Sequence, residues 1–364
     1  MKIVIITKSY YPHQSARALR ATELAQQFAK MGYDVTVYTV IGIEECTEYT
    51  KKTGVKVKSI KTRWILSPSN QSKIRGFFIR VFSVLFSRFT EFPNIEFLSI
   101  VPKLLAKEKN VDLLITSAFP YPIHFGAARA KKKLGDAFPK TWISDCGDPF
   151  MGNDVSKPFF WFKYLELNWG KMTDYVTIPI KDAAKAYYPN VQDKIRVIPQ
   201  GLDFSSIRIN NNFTKNDIPH FAYSGTIFPG YRDLTSFLEF LCTVNDDFRF
   251  YVYTKDSQTI DSYKCRLKEK LVLNGYIPRT DLVYQLSQMD FLINLTNKSS
   301  IQSPSKLIDY ALSKRPILDI QTPFSEHNNF ISFMHRNYSM AHVVPDIQQY
   351  NIEVIANQFI SLTQ

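Results

Sequence analysis

The sequence predicts a two-domain α/β protein in which each half is a doubly wound parallel sheet. Three observations predict it. Short runs of apolar, β-branched residues alternate with amphipathic stretches along the whole chain. These runs are continuously apolar, as strands buried on both faces require. The alternation breaks once, at the polar stretch Ser205–Pro219 with its Asn210-Asn211-Asn212, and then begins again. A chain of 364 residues is long enough for two cores of ordinary size.

The elements follow in order. Lys2–Thr7 is a strand, Ser9–Ser15 a loop, and Leu19, Leu24, Ala25 and Phe28 mark an amphipathic helix. Gly32 stops that helix, and Asp34–Thr39 is the second strand of a βαβ unit. Val111–Thr116, Thr141–Ser144, Tyr175–Ile178 and Ile195–Ile198 read as further strands, with a basic helix over Phe125–Leu134. Beyond the polar stretch, strands are expected at Phe221–Ser224, Phe248–Tyr253, Leu271–Asn274, Phe291–Leu295 and Pro316–Ile320. Helices are expected at Leu234–Leu241, Asp281–Gln288 and Pro304–Leu312, and Ile352–Leu362 has helical period. The expected organisation is a domain over 1–204, a linker over 205–219, a second domain over 220–345, and a C-terminal helix in 346–364 free to return to the first domain. Two such sheets place a ligand crevice at the carboxyl ends of the strands, between the domains.

Composition narrows the class. A hydrophobic fraction of 45% with 21% charged residues reads as globular rather than disordered. The run Ile3–Ile6 is too short for a secretory h-region, and no uncharged apolar stretch is long enough to span a bilayer. Cys46, Cys146, Cys242 and Cys265 are widely spaced and form no metal-binding pattern with the histidines, so reduced thiols and a cytoplasmic location are expected. The net charge of +12 is one-sided: residues 1–200 hold 30 Lys and Arg against 17 Asp and Glu, whereas residues 201–364 hold 15 against 16. That asymmetry suits a polyanion or an anionic membrane on the first half, and solubility alone is the plain alternative.

Two segments carry the chemistry. In Ser303-Pro304-Ser305-Lys306-Leu307-Ile308-Asp309-Tyr310, Ser303 is a good N-cap and Pro304 suits the first helical position. The free N–H groups of that turn, with Lys306, make an anion site suited to a diphosphate. Asp309 lies four residues after Ser305, on the same helix face, where a carboxylate could accept from ribose hydroxyls. An ordinary capped helix with a solvated Lys and Asp explains the octamer equally well. In Phe221–Asp233, a strand ending in Gly225-Thr226 lets the backbone approach a phosphate, and Arg232 could pair with its oxygens. A plain turn with a surface arginine is the alternative. Ser15, Arg17 and Arg20 are candidates to meet phosphate near the first helix, with surface salt bridges as the competing explanation.

Taken together, these residues resemble glycosyltransferase family 4, whose fold is the GT-B type. Four ordered passages carry the resemblance, from residue 1 to about residue 320. Ile3–Pro12 with Arg20 and Gly32–Val37 resembles the family's first βαβ unit. Thr116–His124 followed by Ile143–Phe150 resembles its acceptor-side loop and its "D-x-R-D-P-W" passage. Val197–Asp203 resembles "V-I-P-N-G-I-D". Gly225-Thr226, Gly275–Pro278 and Pro304–Tyr310 resemble the donor-site elements. The chain departs from the family where Ile301 replaces the first acid of the E-x7-E pair, where Gly147 replaces an arginine, and where His13-Gln14-Ser15-Ala16 replaces a glycine-rich loop.

The resemblance implies two Rossmann-like domains facing each other across a cleft. It implies that Gly225, Thr226, Arg232, Ser305 and Lys306 hold a donor diphosphate, that Asp309 binds ribose, and that Tyr276 and Ile277 border the base. UDP- or GDP-sugar would be the co-substrate, with no metal or other cofactor required. Asp148 and His124 are the candidates to orient or deprotonate an acceptor hydroxyl. For His124 a histidine satisfied by the backbone is the favoured reading; for Asp148 a turn-forming aspartate is the alternative, and the resemblance favours function.

A third segment, Lys73–Arg88 with Phe89 just after it, places Ile74, Phe77, Phe78, Val81, Phe82, Leu85, Phe86 and Phe89 on one helical stripe flanked by cations. Packing on the sheet is the plain reading. An anionic membrane interface is the competing one, with Phe77, Arg80, Val81 and Arg88 facing the lipid. The expected function is transfer of a sugar, with retention, to a saccharide or lipid-linked acceptor in bacterial capsule, O-antigen or glycolipid synthesis, on the inner face of the cell membrane. A nucleotide-sugar epimerase of similar fold and a catalytically impaired partner-binding homologue are the alternatives. No nucleic-acid motif supports a nucleic-acid binder.

Overall fold

The computed structural model describes the chain apart from residues 14, 66–85, 88, 154–157, 229, 231–232, 256, 297–305 and 345, and for Lys306 the backbone alone. The chain divides into two compact units, Met1–Leu202 with Gln349–Gln364, and Asp203–Gln348.

The first unit holds a seven-stranded sheet: β1 (Lys2–Ile6), β2 (Asp34–Thr39), β3 (Lys56–Ser59), β4 (Leu113–Ala118), β5 (Thr141–Cys146), β6 (Tyr175–Ile178) and β7 (Ile195–Val197). Their order is β3-β2-β1-β4-β5-β6-β7, and every pair is parallel. The second unit holds β8 (His220–Ser224), β9 (Arg249–Tyr253), β10 (Leu271–Asn274), β11 (Phe291–Leu295) and β12 (Ile317–Ile320), ordered β10-β9-β8-β11-β12 and again parallel. The chain winds outward in one direction from β1 and in the other from β4, so the first switch point lies between β1 and β4. The second lies between β8 and β11.

Burial explains why these residues form strands. Ile3 to Ile6, Leu113 to Ile115 and Phe291 to Ile293 are essentially without exposed surface. Helices cover both faces, leaving no polar side to alternate. β4 runs from Leu113 to Ala118, starting and ending two residues later than the expected span Val111–Thr116. The helix expected from Phe125 starts at Pro122, whose fixed φ suits the first turn. Strand β3 was not expected: its Lys-Val-Lys-Ser pattern is that of an edge strand with lysines on the open side. Helices Ile43–Thr53, Phe97–Leu105, Phe162–Met172 and His327–Met334 also went unread.

The C-terminal helix, Ile352–Ser361, belongs to the first unit. Asn351 forms a parallel bridge with Leu202, and Phe359 meets Phe28 of the helix Ala16–Lys30 edge-on, at 6.5 Å between ring centroids. Ile352, Ile355, Ala356 and Phe359 all enter the first unit's core.

Candidate functional site

In the first unit, three adjacent strands deliver three side chains to the carboxyl edge of the sheet. Arg17 comes from the helix after β1, Phe119 follows β4, and Asp148 follows β5. The Arg17 guanidinium stands 4.5 Å from the centre of the Phe119 ring and donates from Nη2 to Asp148 Oδ2 at 2.7 Å. Both charged groups keep solvent access, with side-chain exposures of 44% and 23%. The loop beneath is firm: Tyr121 donates its hydroxyl to the Asp148 carbonyl at 2.9 Å and stacks on Phe150 at 4.6 Å. Ser15 is exposed and caps the helix Ala16–Lys30, its hydroxyl accepting from the Ala18 N–H at 3.2 Å. A cation, a carboxylate and an aromatic face at a switch point suit a hydroxyl-bearing ligand.

Two residues expected at this edge lie elsewhere. Arg20 is only 7% exposed. Its Nε and Nη2 grip both oxygens of Asp145 at 2.8–3.0 Å, while Nη1 and Nη2 reach the carbonyls of Pro199 and Ile198 at 2.6 and 3.0 Å. All three nitrogens are committed within the fold, so the expectation that Arg20 meets a phosphate is corrected. His124 is fully enclosed. Its Nδ1 pairs with Thr116 Oγ1 at 2.7 Å, its Nε2 faces Cys146 Sγ at 3.4 Å, and its ring stacks on Trp169 at 5.2 Å. Burial pushes its pKa down to about 3, which keeps the ring neutral. His124 therefore has no path to an acceptor in this conformation. Glu166 is also enclosed, with burial pushing its carboxyl up to about 7 against one bond from the Met151 N–H. No sequence pattern pointed to Glu166.

In the second unit, β8 ends at Ser224 and is followed by Gly225-Thr226. Gly225 has φ of +143°, a conformation that side chains disfavour, and its N–H donates to Tyr253 of β9 at 3.0 Å. Thr226 is exposed beside it. Tyr276, after β10, is 51% exposed, and Lys255, after β9, sets its ammonium 4.8 Å from the ring centre. Ile277 packs against the cluster containing Ala222 and Tyr310. Asp309 lies in the first turn of the helix Lys306–Ser313 and is 9% exposed. It pairs with Arg279 at the start of the helix Arg279–Leu286. Burial pushes its carboxyl above the ordinary range, and Arg279 opposes that shift. Gly225, Thr226, Tyr276 and Asp309 thus all follow the carboxyl ends of this sheet or start the helix beside them. Lys255 and Arg279 were missed, because neither belongs to a recognisable pattern. Arg232, Ser305, the side chain of Lys306, and Phe77, Arg80, Val81 and Arg88 lie outside the described residues.

No family model matches the chain, and no curated protein matches it. Solved structures do. The apo form of the lipopolysaccharide outer core galactosyltransferase WaaB is 12% identical, with 100% of this chain and 99% of that chain covered and a TM-score of 0.62. HepE of Anabaena in complex with UDP-glucose is 12% identical, with 100% and 97% covered and a TM-score of 0.58. TarM is 10% identical, with 100% and 98% covered and a TM-score of 0.63. The likeness shows the fold: the chain is a two-domain α/β protein of the GT-B type.

Proposed function

We propose that the chain is a glycosyltransferase that moves a sugar from a nucleotide-sugar, UDP- or GDP-linked, to a saccharide or lipid-linked acceptor with retention, in bacterial surface polysaccharide or glycolipid synthesis. The observation that carries this reading is the second unit's switch point. A glycine turn with positive φ follows β8 and a buried acid starts the helix after β11, while an exposed aromatic ring follows β10 on the same carboxyl edge of the sheet. A helix start and a close backbone suit a diphosphate, the acid suits ribose, and the ring suits a base. The UDP-glucose bound to HepE and the galactosyltransferase WaaB favour the same chemistry. In this reading Gly225, Thr226, Arg232, Ser305 and Lys306 hold the diphosphate, so that protein cations do the work of a metal. Asp309 holds the ribose, Tyr276 and Ile277 border the base, and Asp148 orients the acceptor hydroxyl. We read His124 as structural, because it is enclosed.

Calorimetry tests the reading. The protein should bind UDP or GDP, and Asp309→Ala should weaken that affinity by about tenfold or more, the worth of a hydrogen bond to a charged group. Unchanged affinity in the variant would sink the assignment. Conversion of the donor to its epimer with no acceptor present would replace the transferase with an epimerase.

The lipid-linked acceptor has its own support. Trp64, Phe86, Phe89, Phe160, Trp161 and Tyr164 are all at least 38% exposed. Phe89, Phe160 and Trp161 form one cluster through Phe159, and the Trp161 indole donates to the Phe89 carbonyl at 2.9 Å. Residues 51–109 carry 13 Lys and Arg against 3 Asp and Glu. Aromatic rings beside cations fit an anionic lipid interface. No helix among the described residues is long and apolar enough to cross a membrane. The protein is expected to float with anionic vesicles at low salt and to lose that binding when Phe160 and Trp161 are both replaced by Ser. Flotation unaffected by the double substitution would remove this surface from the reading.

A further inference from the structure

The two central strands of the second sheet separate early. β8 and β11 pair only at Phe221 with Phe291 and at Ala222 with Leu292, although β8 runs on to Ser224 and β11 to Leu295. On its other side β8 stays paired with β9 as far as Ser224, and Gly225 extends that contact to the Tyr253 carbonyl. One flank of β8 thus opens just before the glycine turn. Backbone groups left in such a gap need other partners.

The Tyr310 hydroxyl supplies them. It accepts from the Ser224 N–H at 2.8 Å and donates to the Ile293 carbonyl at 3.1 Å, with the Ser224 carbonyl farther away at 3.4 Å. The side chain is fully buried. A hydroxyl, with one proton and two lone pairs, can bridge an N–H on one strand to a C=O on the next. It stands in for a ladder bond that the diverging strands cannot make. Tyr310 is the fifth residue of the helix Lys306–Ser313 and neighbours Asp309. The bond that closes the gap therefore also fixes this helix start against the glycine turn. Arg279 adds a second restraint on the same turn of helix through Asp309. An apolar residue of the same size would fill the space and leave two buried backbone groups unpaired.

We propose that Tyr310 is a positioning residue for the nucleotide site: its hydroxyl, bridging β8 and β11 at the switch point, sets the start of the helix Lys306–Ser313 relative to the Gly225 turn. The inference rests on the reading of this edge as the nucleotide-binding one. Tyr310 touches no ligand in this account; it acts through Gly225 and Asp309.

The test compares UDP and GDP binding by calorimetry in the wild type, Tyr310→Phe, Asp309→Ala and Phe330→Leu. Phe330 packs in this unit's core on Phe221 and Phe237 and serves as a control for lost stability alone. Tyr310→Phe is expected to weaken nucleotide binding by about tenfold, since misplacing binding groups by a fraction of an ångström is costly. Phe330→Leu is expected to lower the melting temperature with affinity within about twofold of wild type. Binding that survives in Tyr310→Phe but is lost in Asp309→Ala overturns the inference and spares the nucleotide reading. Equal losses in Tyr310→Phe and Phe330→Leu also overturn it, because stability alone would then explain both. A wild type that binds neither nucleotide removes the reading itself. Should Tyr310→Phe fail to fold, hydrogen exchange of the wild type decides: UDP or GDP is expected to slow exchange of the Ser224 amide, and an unchanged rate in a nucleotide-bound sample overturns the inference.

Discussion

Replacing Arg20 by alanine is expected to destabilise the unit that holds it by about 3–5 kcal/mol, the usual cost of removing one partner of a buried ion pair. The expectation follows from what would be left behind. Asp145 is 3% exposed, and beyond Arg20 it accepts from the Thr177 hydroxyl at 2.7 Å. Without the guanidinium, one hydroxyl would have to compensate a buried carboxylate. The carbonyls of Ile198 and Pro199 would lose their donors as well. Arg20 thus joins four pieces of chain: its own helix, β5 through Asp145, β6 through Thr177, and the segment after β7. Urea denaturation followed by Trp142 and Trp169 fluorescence measures the loss. A double variant, Arg20→Met with Asp145→Leu, is expected to recover much of it, because an apolar pair of similar volume removes both desolvation costs. A loss under about 1 kcal/mol for Arg20→Ala would contradict the assignment, since that is the range of an exposed pair.

Arg20 also shows where sequence reading ends. Its spacing in an amphipathic helix is visible, but its partner lies 125 residues away, and a lone arginine near a switch point looks like a phosphate ligand. The strands were legible because a parallel sheet covered on both faces needs continuous apolar runs. Tyr175–Ile178, Leu271–Asn274 and Phe291–Leu295 were read to the residue. β3 was not, because an edge strand needs only one buried face and its lysines resemble a basic loop. At the second switch point, Gly225 and Asp309 stand in a pattern, whereas Arg279 and Lys255 matter only through contacts formed by folding. Tyr310 closes the segment Ser303–Tyr310, yet its buried hydroxyl has meaning only because β8 and β11 part beside it.

Asp148→Asn is expected to lower turnover by about a hundredfold or more, the lower range for losing a group that orients or accepts a proton. Stability and nucleotide affinity should scarcely change. The two halves of this expectation rest on different observations. The small stability effect follows from exposure: the Arg17–Asp148 pair is solvent-accessible on both sides, and such pairs contribute about 0–1 kcal/mol. The loop would hold its shape, because Tyr121 bonds the main-chain carbonyl of Asp148 and that bond survives the substitution. The large activity effect follows from placement: the carboxylate stands at the carboxyl edge beside the switch point and holds the Arg17 guanidinium, which lies over the Phe119 ring. Asparagine keeps the size and one acceptor oxygen but loses the charge that holds Arg17 and attracts a hydroxyl proton. Turnover with a saccharide acceptor, measured beside UDP affinity, separates these effects. A parallel fall in both would place Asp148 in nucleotide binding instead. Turnover within about threefold of wild type would make the aspartate a turn residue and move acceptor chemistry to another group.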